Sequence, residues 1–242
     1  MIEVRNLKKV YCTFEALKGV DFSVKNGTVF CLLGSNGAGK TTIIKIISGL
    51  LKQTTGRTLI DGKSAEEDLH VKKLYGYMPE QPHLYERLTG REFLEMMASL
   101  RDIDEKIIKK KIDEYADEME LDHVIDSELG SYSKGMKQKI LFANAIFHDP
   151  PNLILDEPTT GLDPRFTNIM KKKIKDMADR GKAVLMSTHI TSVAEEIADR
   201  VAIINGGKIV AEGSIDEMKE ENNVDTLEKV FVEVVNNERR ST

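Results

Sequence analysis

Hydrophobic and polar residues alternate early in the chain and then give way to a continuous apolar run. In residues 20–24 every second side chain is apolar, a pattern that predicts a half-buried β-strand. Asn26-Gly27 follows as a tight-turn pair before the apolar run 28–33, so we expect the two strands to form a hairpin. An almost wholly apolar run is typical of a strand that is covered on both faces of a parallel sheet.

Later apolar runs extend this pattern. Residues 153–155 and 183–186 are short and wholly apolar, which predicts two further buried strands. Residues 201–211 are apolar at both ends and carry Asn205-Gly206-Gly207 in between, so a second hairpin is expected there. These runs together predict a sheet that is buried on both faces.

A charged segment separates the first two buried runs. Residues 88–119 contain no proline and repeat apolar side chains at helical spacing. We expect one helix face to carry Phe93, Met96, Met97 and Leu100. We interpret residues 83–137 as a helical insertion in an α/β core, with 1–82 and 138–213 as the two parts of that core and 214–242 as a helical tail.

Composition and charge narrow the class of protein. The 242 residues are 40% hydrophobic, which is too apolar for a disordered chain and enough for a core with a smaller insertion. No run of about 18 uncharged apolar residues occurs, and Glu3 interrupts any leader, so we expect neither a membrane span nor a signal peptide. The net charge of −5 has the wrong sign for a protein that coats nucleic acid. We expect Cys12 and Cys31 to be reduced thiols in a cytoplasmic protein, since they have no metal-ligand spacing.

The strongest chemical signal lies between the first apolar run and a helical run that ends before Gly49. Residues 34–41 fit the pattern G-x-x-x-x-G-K-[ST], in which glycines let backbone N–H groups converge on phosphate oxygens. Lys40 is expected to reach the β- and γ-phosphates, and the Thr41 hydroxyl to bind Mg²⁺. A nucleoside triphosphate site is therefore favoured over an ordinary glycine-rich turn. Its residues are Gly34, Ser35, Asn36, Gly37, Ala38, Gly39, Lys40, Thr41 and Thr42.

A second signal follows the buried run 153–155. Carboxylates at the C-terminal end of a parallel strand lie where α/β sheets bind ligands. Asp156 would hold Mg²⁺ directly or through water, and Glu157 would accept a proton from the attacking water as general base. An Asp-Glu pair on its own is more often a surface pair, but the phosphate loop favours the functional interpretation.

With these two motifs in place, the sequence resembles the ATP-binding subunit of ABC transporters over nearly its whole length. The resemblance implies an α/β, P-loop NTPase fold of the ABC ATPase type, with a mainly parallel core sheet, an N-terminal antiparallel β region and an inserted α-helical subdomain. Other phosphate-loop ATPases lack this combination in this order. The further matching positions are Tyr11, Gln81, the signature segment Tyr132-Ser133-Lys134-Gly135-Met136, the loop Thr160-Gly161-Leu162-Asp163 and His189.

The resemblance implies a role for each matching residue. Tyr11 would stack on adenine, and Gln81 would sense Mg²⁺ and the γ-phosphate. Ser133 and Gly135 would bind the γ-phosphate of a nucleotide held by a second subunit, and Asp163 would lie in the dimer contact. The implied catalytic residues are Glu157, His189 and Lys40, and the implied metal ligands are Thr41, Gln81 and Asp156.

Three positions depart from the family pattern. Tyr132 and Lys134 replace a leucine and a glycine of the usual signature, and Lys139 stands where arginine is usual, which loses a two-pronged donor. Taken singly, Tyr11 is an ordinary packed aromatic residue and Ser133 an ordinary helix N-cap. Their joint occurrence favours the functional interpretation, and we expect a hydrolysis-competent site.

We interpret the chain as an ATPase subunit that uses ATP and Mg²⁺. Two copies, as a homodimer, would face each other head to tail with ATP between them. A separate integral membrane permease would dock near Gln81, with residues 82–92 as the candidate contact surface, and would hold the subunit at the cytoplasmic face of the cell membrane. No nucleic acid is expected as a partner. The tail resembles the closing helix of ABC-2-type exporters, or is a helix that covers the core edge, at Leu227, Val230, Phe231 and Val234.

Two other classes stay open at this point. A soluble ABC ATPase could act on nucleic acid, ribosomes or iron–sulfur assembly, although we find neither a long coiled-coil insertion nor a second ATPase half. A phosphate-loop kinase or GTPase is the other alternative. The chain has no base-reading Asn-Lys-x-Asp loop, and a kinase would not need His189 or the signature segment.

Overall fold

The computed structural model describes residues 1–81 and 83–241, with side chains as far as residue 238. The strands are β1 (Ile2–Tyr11), β2 (Phe14–Val24), β3 (Thr28–Leu33), β4 (Thr55–Ile60), β5 (Tyr75–Met78), β6 (Asn152–Asp156), β7 (Ala183–Thr188), β8 (Arg200–Asn205) and β9 (Lys208–Gly213). The α-helices are α1 (Lys40–Ile47), α2 (Gly90–Ser99), α3 (Glu105–Glu118), α4 (Lys134–Ile146), α5 (Pro164–Asp179), α6 (Thr191–Ile197), α7 (Ile215–Asn222) and α8 (Leu227–Ser241).

The strands form two sheets. A three-stranded antiparallel sheet has the order β2-β1-β4, and a six-stranded sheet has the order β5-β6-β7-β3-β8-β9. In the larger sheet the neighbouring strands from β5 to β8 run parallel, and β9 pairs antiparallel with β8. The fold class expected from the sequence is therefore confirmed: a mainly parallel core sheet stands beside an N-terminal antiparallel region.

One expected hairpin is wrong. The turn at Asn26-Gly27 is present, with Gly27 at φ 74°, but β2 pairs with β1 in the small sheet while β3 pairs with β7 and β8 in the large one. The apolar character of β3 explains this, because a strand with two apolar faces needs neighbours and cover that β2 alone cannot give. The second hairpin is confirmed, and Asn205 faces Lys208 at its turn.

The hydrophobic core lies on both faces of the large sheet. Side chains along a strand point alternately to opposite faces, so β3 divides its residues between two apolar clusters. Val29, Cys31 and Leu33 belong to the cluster that helices α2 to α8 cover. Phe30 and Leu32 belong to the cluster beneath the small sheet and α1. This two-sided burial places the carboxyl ends of β3, β6 and β7 at one edge of a rigid layer.

The charged segment 88–119 forms helices α2 and α3, and α4 follows it. A capping box starts α2, in which the Thr89 hydroxyl accepts from the Glu92 N–H and the Glu92 carboxylate accepts from the Thr89 N–H. The expected helix face is only partly right. Phe93, Leu94 and Ala98 are buried, whereas Leu100 lies beyond the last helical residue and is 70% exposed.

The tail helix α8 packs on the core. Leu227 and Val230 have no exposed surface and belong to the same cluster as Val29, Cys31 and Leu33 of β3. Within the two described ranges, no helix is both long enough and apolar enough to span a membrane.

Candidate functional site

The phosphate loop joins β3 to α1 and is built on close backbone approaches. A Cβ on Gly34 would lie 2.5 Å from the Ile204 carbonyl oxygen, so a side chain cannot be accommodated there. Gly39 has φ 118°, and a Cβ on it would lie 2.8 Å from Leu17 Cδ2. Glycine is required at both positions, which leaves the loop backbone free to point its N–H groups towards a bound anion.

Lys40 begins α1 and is 5% exposed. Its ammonium group donates to the carbonyl oxygens of Gly34 and Ser35, at 2.7 and 3.3 Å, and lies 3.3 Å from Glu157 Oε1. A buried ammonium group needs such partners to remain charged. The lysine is therefore held inside the loop, where phosphate oxygens could replace its present acceptors.

Asp156 ends β6 beneath the loop and is 1% exposed. Its Oδ1 accepts from the Ser187 hydroxyl at 2.6 Å and from the Thr41 hydroxyl at 3.3 Å. Its Oδ2 is buried and has no hydrogen-bond partner among the described residues. Burial raises the pKa of this carboxyl, and the two hydroxyl donors counteract part of that effect.

Glu157 follows Asp156 in a conformation that residues with a Cβ rarely adopt, at φ 49°. Its N–H donates to Ser187 Oγ at 3.1 Å, and its Oε2 lies 2.9 Å from His189 Nδ1. The carboxylate is thus held between Lys40 and His189. A fixed carboxylate with backbone strain at the end of a central strand is the arrangement expected of a positioned general base.

Two adjacent cavities contain most of the expected site residues. One has a volume of about 310 Å³, and the other, of about 320 Å³, lies beside it and shares residues with it. Expected site residues that line the first are Tyr11, Asn36, Gly37, Gly39, Lys40, Thr41, Thr42 and Glu157. Those that line the second are Thr41, Gln81 and Asp156.

Tyr11 ends β1 at the edge of the first cavity. It is 42% exposed, faces Phe14 across the turn between β1 and β2, and has Lys9 Nζ 4.9 Å from its ring centroid. Phe14 lines the same cavity and is 66% exposed. The cavity therefore offers two exposed aromatic rings to a planar ligand, where the sequence indicated one.

The signature residues lie elsewhere. Ser133 is the N-cap of α4, and its hydroxyl accepts from the Met136 N–H at 3.2 Å. A Cβ on Gly135 would lie 3.5 Å from the Gly161 carbonyl oxygen, so the start of α4 lies against the loop 160–163. Asp163 caps α5, and the Phe166 N–H that it accepts lowers the pKa of its carboxyl. Ser133, Gly135 and Asp163 are absent from the described linings of both cavities.

The signature departures have separate structural roles. Tyr132 is buried, and its hydroxyl donates to the Val124 carbonyl oxygen at 2.7 Å, so it packs in place of the usual leucine. Lys134 lies along the loop, since a Cβ on Gly161 would be 3.3 Å from Lys134 Cε. Lys139 is also nearly buried, and its ammonium group forms an ion pair with Glu120.

Sequence reasoning missed three residues of the site. Ser187 links the Asp156 carboxylate to the Glu157 backbone, and Phe14 and Glu80 line the first cavity. A signal for Ser187 was available, because a polar residue closes an otherwise apolar strand next to β6 in the sheet. Phe14 and Glu80 have no such signal, because the tight turn between β1 and β2 places Phe14 and the loop after β5 places Glu80.

Comparison with known proteins decides the family. Residues 17–160 match the family described as ABC transporter, and this match covers more than half of the chain. The chain belongs to the ABC transporter family. It is an ATP-binding, ATP-hydrolysing subunit of such a transporter. The soluble, non-transport ABC ATPase is not favoured, nor are the kinase and GTPase alternatives.

Several relatives are named ATP-binding proteins. An uncharacterised ABC transporter ATP-binding protein of Nostoc is 39% identical, over 90% of this chain and 68% of its own. The daunorubicin resistance ATP-binding protein of Streptomyces coeruleorubidus is 33% identical, over 96% and 74% of the two chains. The SkfA peptide export ATP-binding protein of Bacillus subtilis is 34% identical, over 91% and 92%.

Solved structures agree. A structure described as the ATP-binding subunit of an ABC transporter has a TM-score of 0.91 and 32% identity, over 97% of this chain and 99% of that one. A dimeric ATP-binding cassette in a post-hydrolysis state, bound to ADP and phosphate, has a TM-score of 0.82 and 25% identity, over 88% and 98%. This ABC ATPase therefore has the cassette fold, and a dimer is the assembly recorded for a similar cassette.

Proposed function

We propose that this ABC ATPase hydrolyses Mg²⁺-bound ATP at an interface between two copies of the chain and powers an export permease. The observation that carries the proposal is the division of the site. Lys40, Asp156 and Glu157 meet at one edge of the sheet, while Ser133 and Gly135 line neither of the two cavities there. A second chain, placed head to tail, would supply them.

The chain's own groups support hydrolysis in a defined order. ATP bound in the loop would offer its phosphate oxygens to Lys40, which now pairs with Glu157 Oε1 at 3.3 Å. That exchange would free Oε1 to accept a proton from water, while His189 holds Oε2 at 2.9 Å. Tyr11 and Phe14 would stack on the adenine ring and fix the other end of the nucleotide.

The residues present fit a magnesium ion. Asp156 has a buried oxygen that no described residue contacts, and the Thr41 hydroxyl lies 3.3 Å from the other oxygen of the same carboxylate. Gln81 lines the cavity that Thr41 and Asp156 also line. Oxygen donors of this kind suit Mg²⁺, with Thr41, Gln81 and Asp156 as the residues that would hold it directly or through water. When bound, the ion would neutralise charge on the β- and γ-phosphates.

The interchain arrangement rests on exposed groups at two helix starts. Ser133 is exposed, and the first turn of α4 contains no acidic residue, so the helix dipole can act on an anion there. Asp163 is exposed at the start of α5 beside it. Both helix starts are available to the nucleotide and loop of a second copy.

A membrane permease follows from the family, and export from the relatives named for drug resistance and peptide export. Residues 82–92 are the proposed contact surface; residue 82 lies outside the described residues. Tyr85 is 64% exposed within the segment, which suits a contact with a partner. Docking there would hold the subunit at the cytoplasmic face of the cell membrane.

The test is purification of Glu157→Gln from detergent-solubilised native membranes with ATP and Mg²⁺. The variant should bind ATP without hydrolysing it and should therefore remain as a closed dimer. We expect a polytopic membrane protein in stoichiometric amount. The control is Glu157→Gln combined with Lys40→Ala. This double variant should bind ATP weakly, so its two copies should dissociate. Recovery of soluble partners alone would contradict the permease assignment and favour the soluble ABC class.

A further inference from the structure

The C-terminal end of α3 carries an acidic residue in an unfavourable position. Glu120 lies two residues beyond α3 in the left-handed region, at φ 56°, which residues with a Cβ rarely adopt. Its own N–H donates to the Asp117 carbonyl oxygen at 2.9 Å, so the turn closes the helix. Glycine or asparagine would suit this turn better. The contacts of the glutamate side chain must therefore explain its place.

The Glu120 carboxylate joins two other helices. Its Oε2 accepts from Lys139 Nζ of α4 at 3.1 Å, and its Oε1 lies 2.6 Å from Arg165 Nη2 of α5. The Lys139 side chain is only 11% exposed, so an acidic partner is needed to offset the loss of hydration of its ammonium group. The Arg165 side chain is 81% exposed and contributes a weaker contact.

Lys139 also reaches α5 directly. Its Nζ lies 4.4 Å from the ring centroid of Phe166, which has no exposed surface. The Phe166 N–H donates to Asp163 Oδ1 at 2.9 Å, and the charge of Lys139 helps to lower the pKa of the Asp163 carboxyl. The contacts of Lys139 thus extend from Glu120 to the N-cap of α5.

These contacts connect the two helix starts of the proposed interface. Lys139 lies on α4, less than two turns beyond Ser133, and Arg165 and Phe166 lie in the first turn of α5 after Asp163. Gly135 and Gly161 already approach each other at the same place. An ion pair that fixes α4 to α5 would therefore fix Ser133 and Asp163 relative to each other.

We propose that Glu120 is a positioning residue for ATP hydrolysis, because its carboxylate locks the start of α4 to the start of α5. Ser133 and Asp163 would then meet the partner's nucleotide and phosphate loop as one rigid unit. The inference rests on the proposed function for this last step, since only a head-to-tail dimer brings both groups to one interface. The ion-pair geometry itself belongs to a single chain.

A matched control lies on the same helix end. Glu118 forms an ion pair with Lys173 of α5 at 2.6 Å, so Glu118→Gln also removes an α3–α5 ion pair. It leaves Lys139 and its contact with Glu120 intact. Only Glu120→Gln therefore removes an ion pair to α4, whereas Glu118→Gln leaves the contacts of α4 unchanged.

Steady-state ATPase kinetics give the first comparison. We expect Glu120→Gln to lower kcat by about threefold to tenfold, which lies within the range of coupling through a packed network. KM for ATP should change by less than about twofold, because Tyr11 and Lys40 are untouched. Glu118→Gln should stay within about twofold of wild type in both constants. Equal kcat values for the two variants would overturn the inference.

Hydrogen exchange in the absence of nucleotide tests the positioning itself. Glu120→Gln should speed exchange in residues 133–139 and 160–167, whereas Glu118→Gln should leave both segments unchanged. Unchanged exchange in Glu120→Gln would overturn the inference. Because this comparison uses no dimer, it decides the role of Glu120 even if Glu157→Gln forms no ATP-dependent dimer and the proposed function fails.

A third variant separates positioning from stability. Glu120→Gly relieves the left-handed backbone but removes the carboxylate, so its Tm should be no lower than that of Glu120→Gln. Its kcat should remain as low as that of Glu120→Gln. A glycine variant that regains wild-type kcat together with Tm would show a purely structural role and overturn the inference.

Discussion

The two halves of the ATP site differ in how the chain holds them. In the core half, Lys40, Asp156 and Glu157 are 5%, 1% and 5% exposed and are linked by hydrogen bonds and an ion pair. In the signature half, Ser133 and Asp163 are exposed and accept hydrogen bonds from their own helix starts. One half is buried at the edge of the core sheet, and the other lies at the surface.

This difference separates stability from turnover. A change in the core half disturbs buried charges and hydrogen bonds, so it should alter both the folded state and the chemistry. A change in the signature half should cost an ordinary helix cap and act on turnover through the interface. The variants below test this separation, starting with the largest expected effect.

The largest effect is expected from Glu157→Gln. Removal of a general base costs about 10²- to 10⁴-fold in rate, and the amide cannot take a proton from water. ATP binding should persist, since Lys40, Thr41 and Asp156 remain. Phosphate release assays and nucleotide affinity measured on the same preparation check both statements. A kcat within about tenfold of wild type would contradict the assignment of Glu157 as base.

Ser133→Ala should act on turnover beyond its effect on stability. Loss of a serine N-cap costs about 1 kcal/mol, and loss of a hydrogen bond to a charged phosphate should lower kcat by at least about tenfold. The matched control is Ser214→Ala, because Ser214 also caps a helix, in a capping box with Glu217 at the start of α7. Both variants should lose similar stability, but Ser214→Ala should retain wild-type kcat. Equal kcat values would place Ser133 outside the reaction.

Tyr11→Ala should weaken nucleotide binding without slowing the chemical step. An aromatic stacking contact contributes about 0.5–1.5 kcal/mol, so KM for ATP should rise by about twofold to tenfold with kcat unchanged. Phe14→Ala gives the comparison on the same cavity edge. A larger KM effect in Phe14→Ala than in Tyr11→Ala would move the adenine platform from β1 to β2.

The smallest effect is expected on stability: Asp156→Asn should slightly raise the free energy of unfolding of the nucleotide-free protein. Burial raises the pKa of this carboxyl in the folded state, so ionisation favours the unfolded chain. This loss of unfolding free energy is absent when the pH is below the ordinary carboxyl pKa. It grows as the pH rises towards the raised pKa of the folded state and is complete above that pKa. Thermal unfolding in EDTA should therefore show a variant advantage at pH 7 that shrinks towards pH 4. A variant that is less stable than wild type at pH 7 would contradict this.

Much of the core half could be predicted from the sequence, because its signals are local. The phosphate loop and the Asp156-Glu157 pair lie directly after apolar runs, and a parallel sheet brings strand ends together. The pairing of β2 could not be predicted in this way. A turn at Asn26-Gly27 is compatible with a hairpin or with a chain that passes from one sheet to another. The second holds here, because the apolar β3 has to be covered on both faces.

Non-local contacts account for the other differences. Phe14 and Glu80 join the site through a turn and a loop, without a spacing that marks them. Leu100 continued a helical spacing, but α2 ends at Ser99 and leaves it exposed. The ion pairs of Glu120 depend on three helices meeting, which no pattern within one segment reveals.

Mixing two inactive variants tests the interchain site most directly. Lys40→Ala damages the phosphate loop, and Ser133→Arg blocks the start of α4, so each variant alone should be nearly inactive. In a head-to-tail dimer of one copy of each, one site would combine an intact phosphate loop with an intact signature segment. An equal mixture should contain half mixed dimers with one intact site of two, and so recover about a quarter of wild-type ATPase activity. Activity no greater than the sum of the two separate variants would contradict the interchain site.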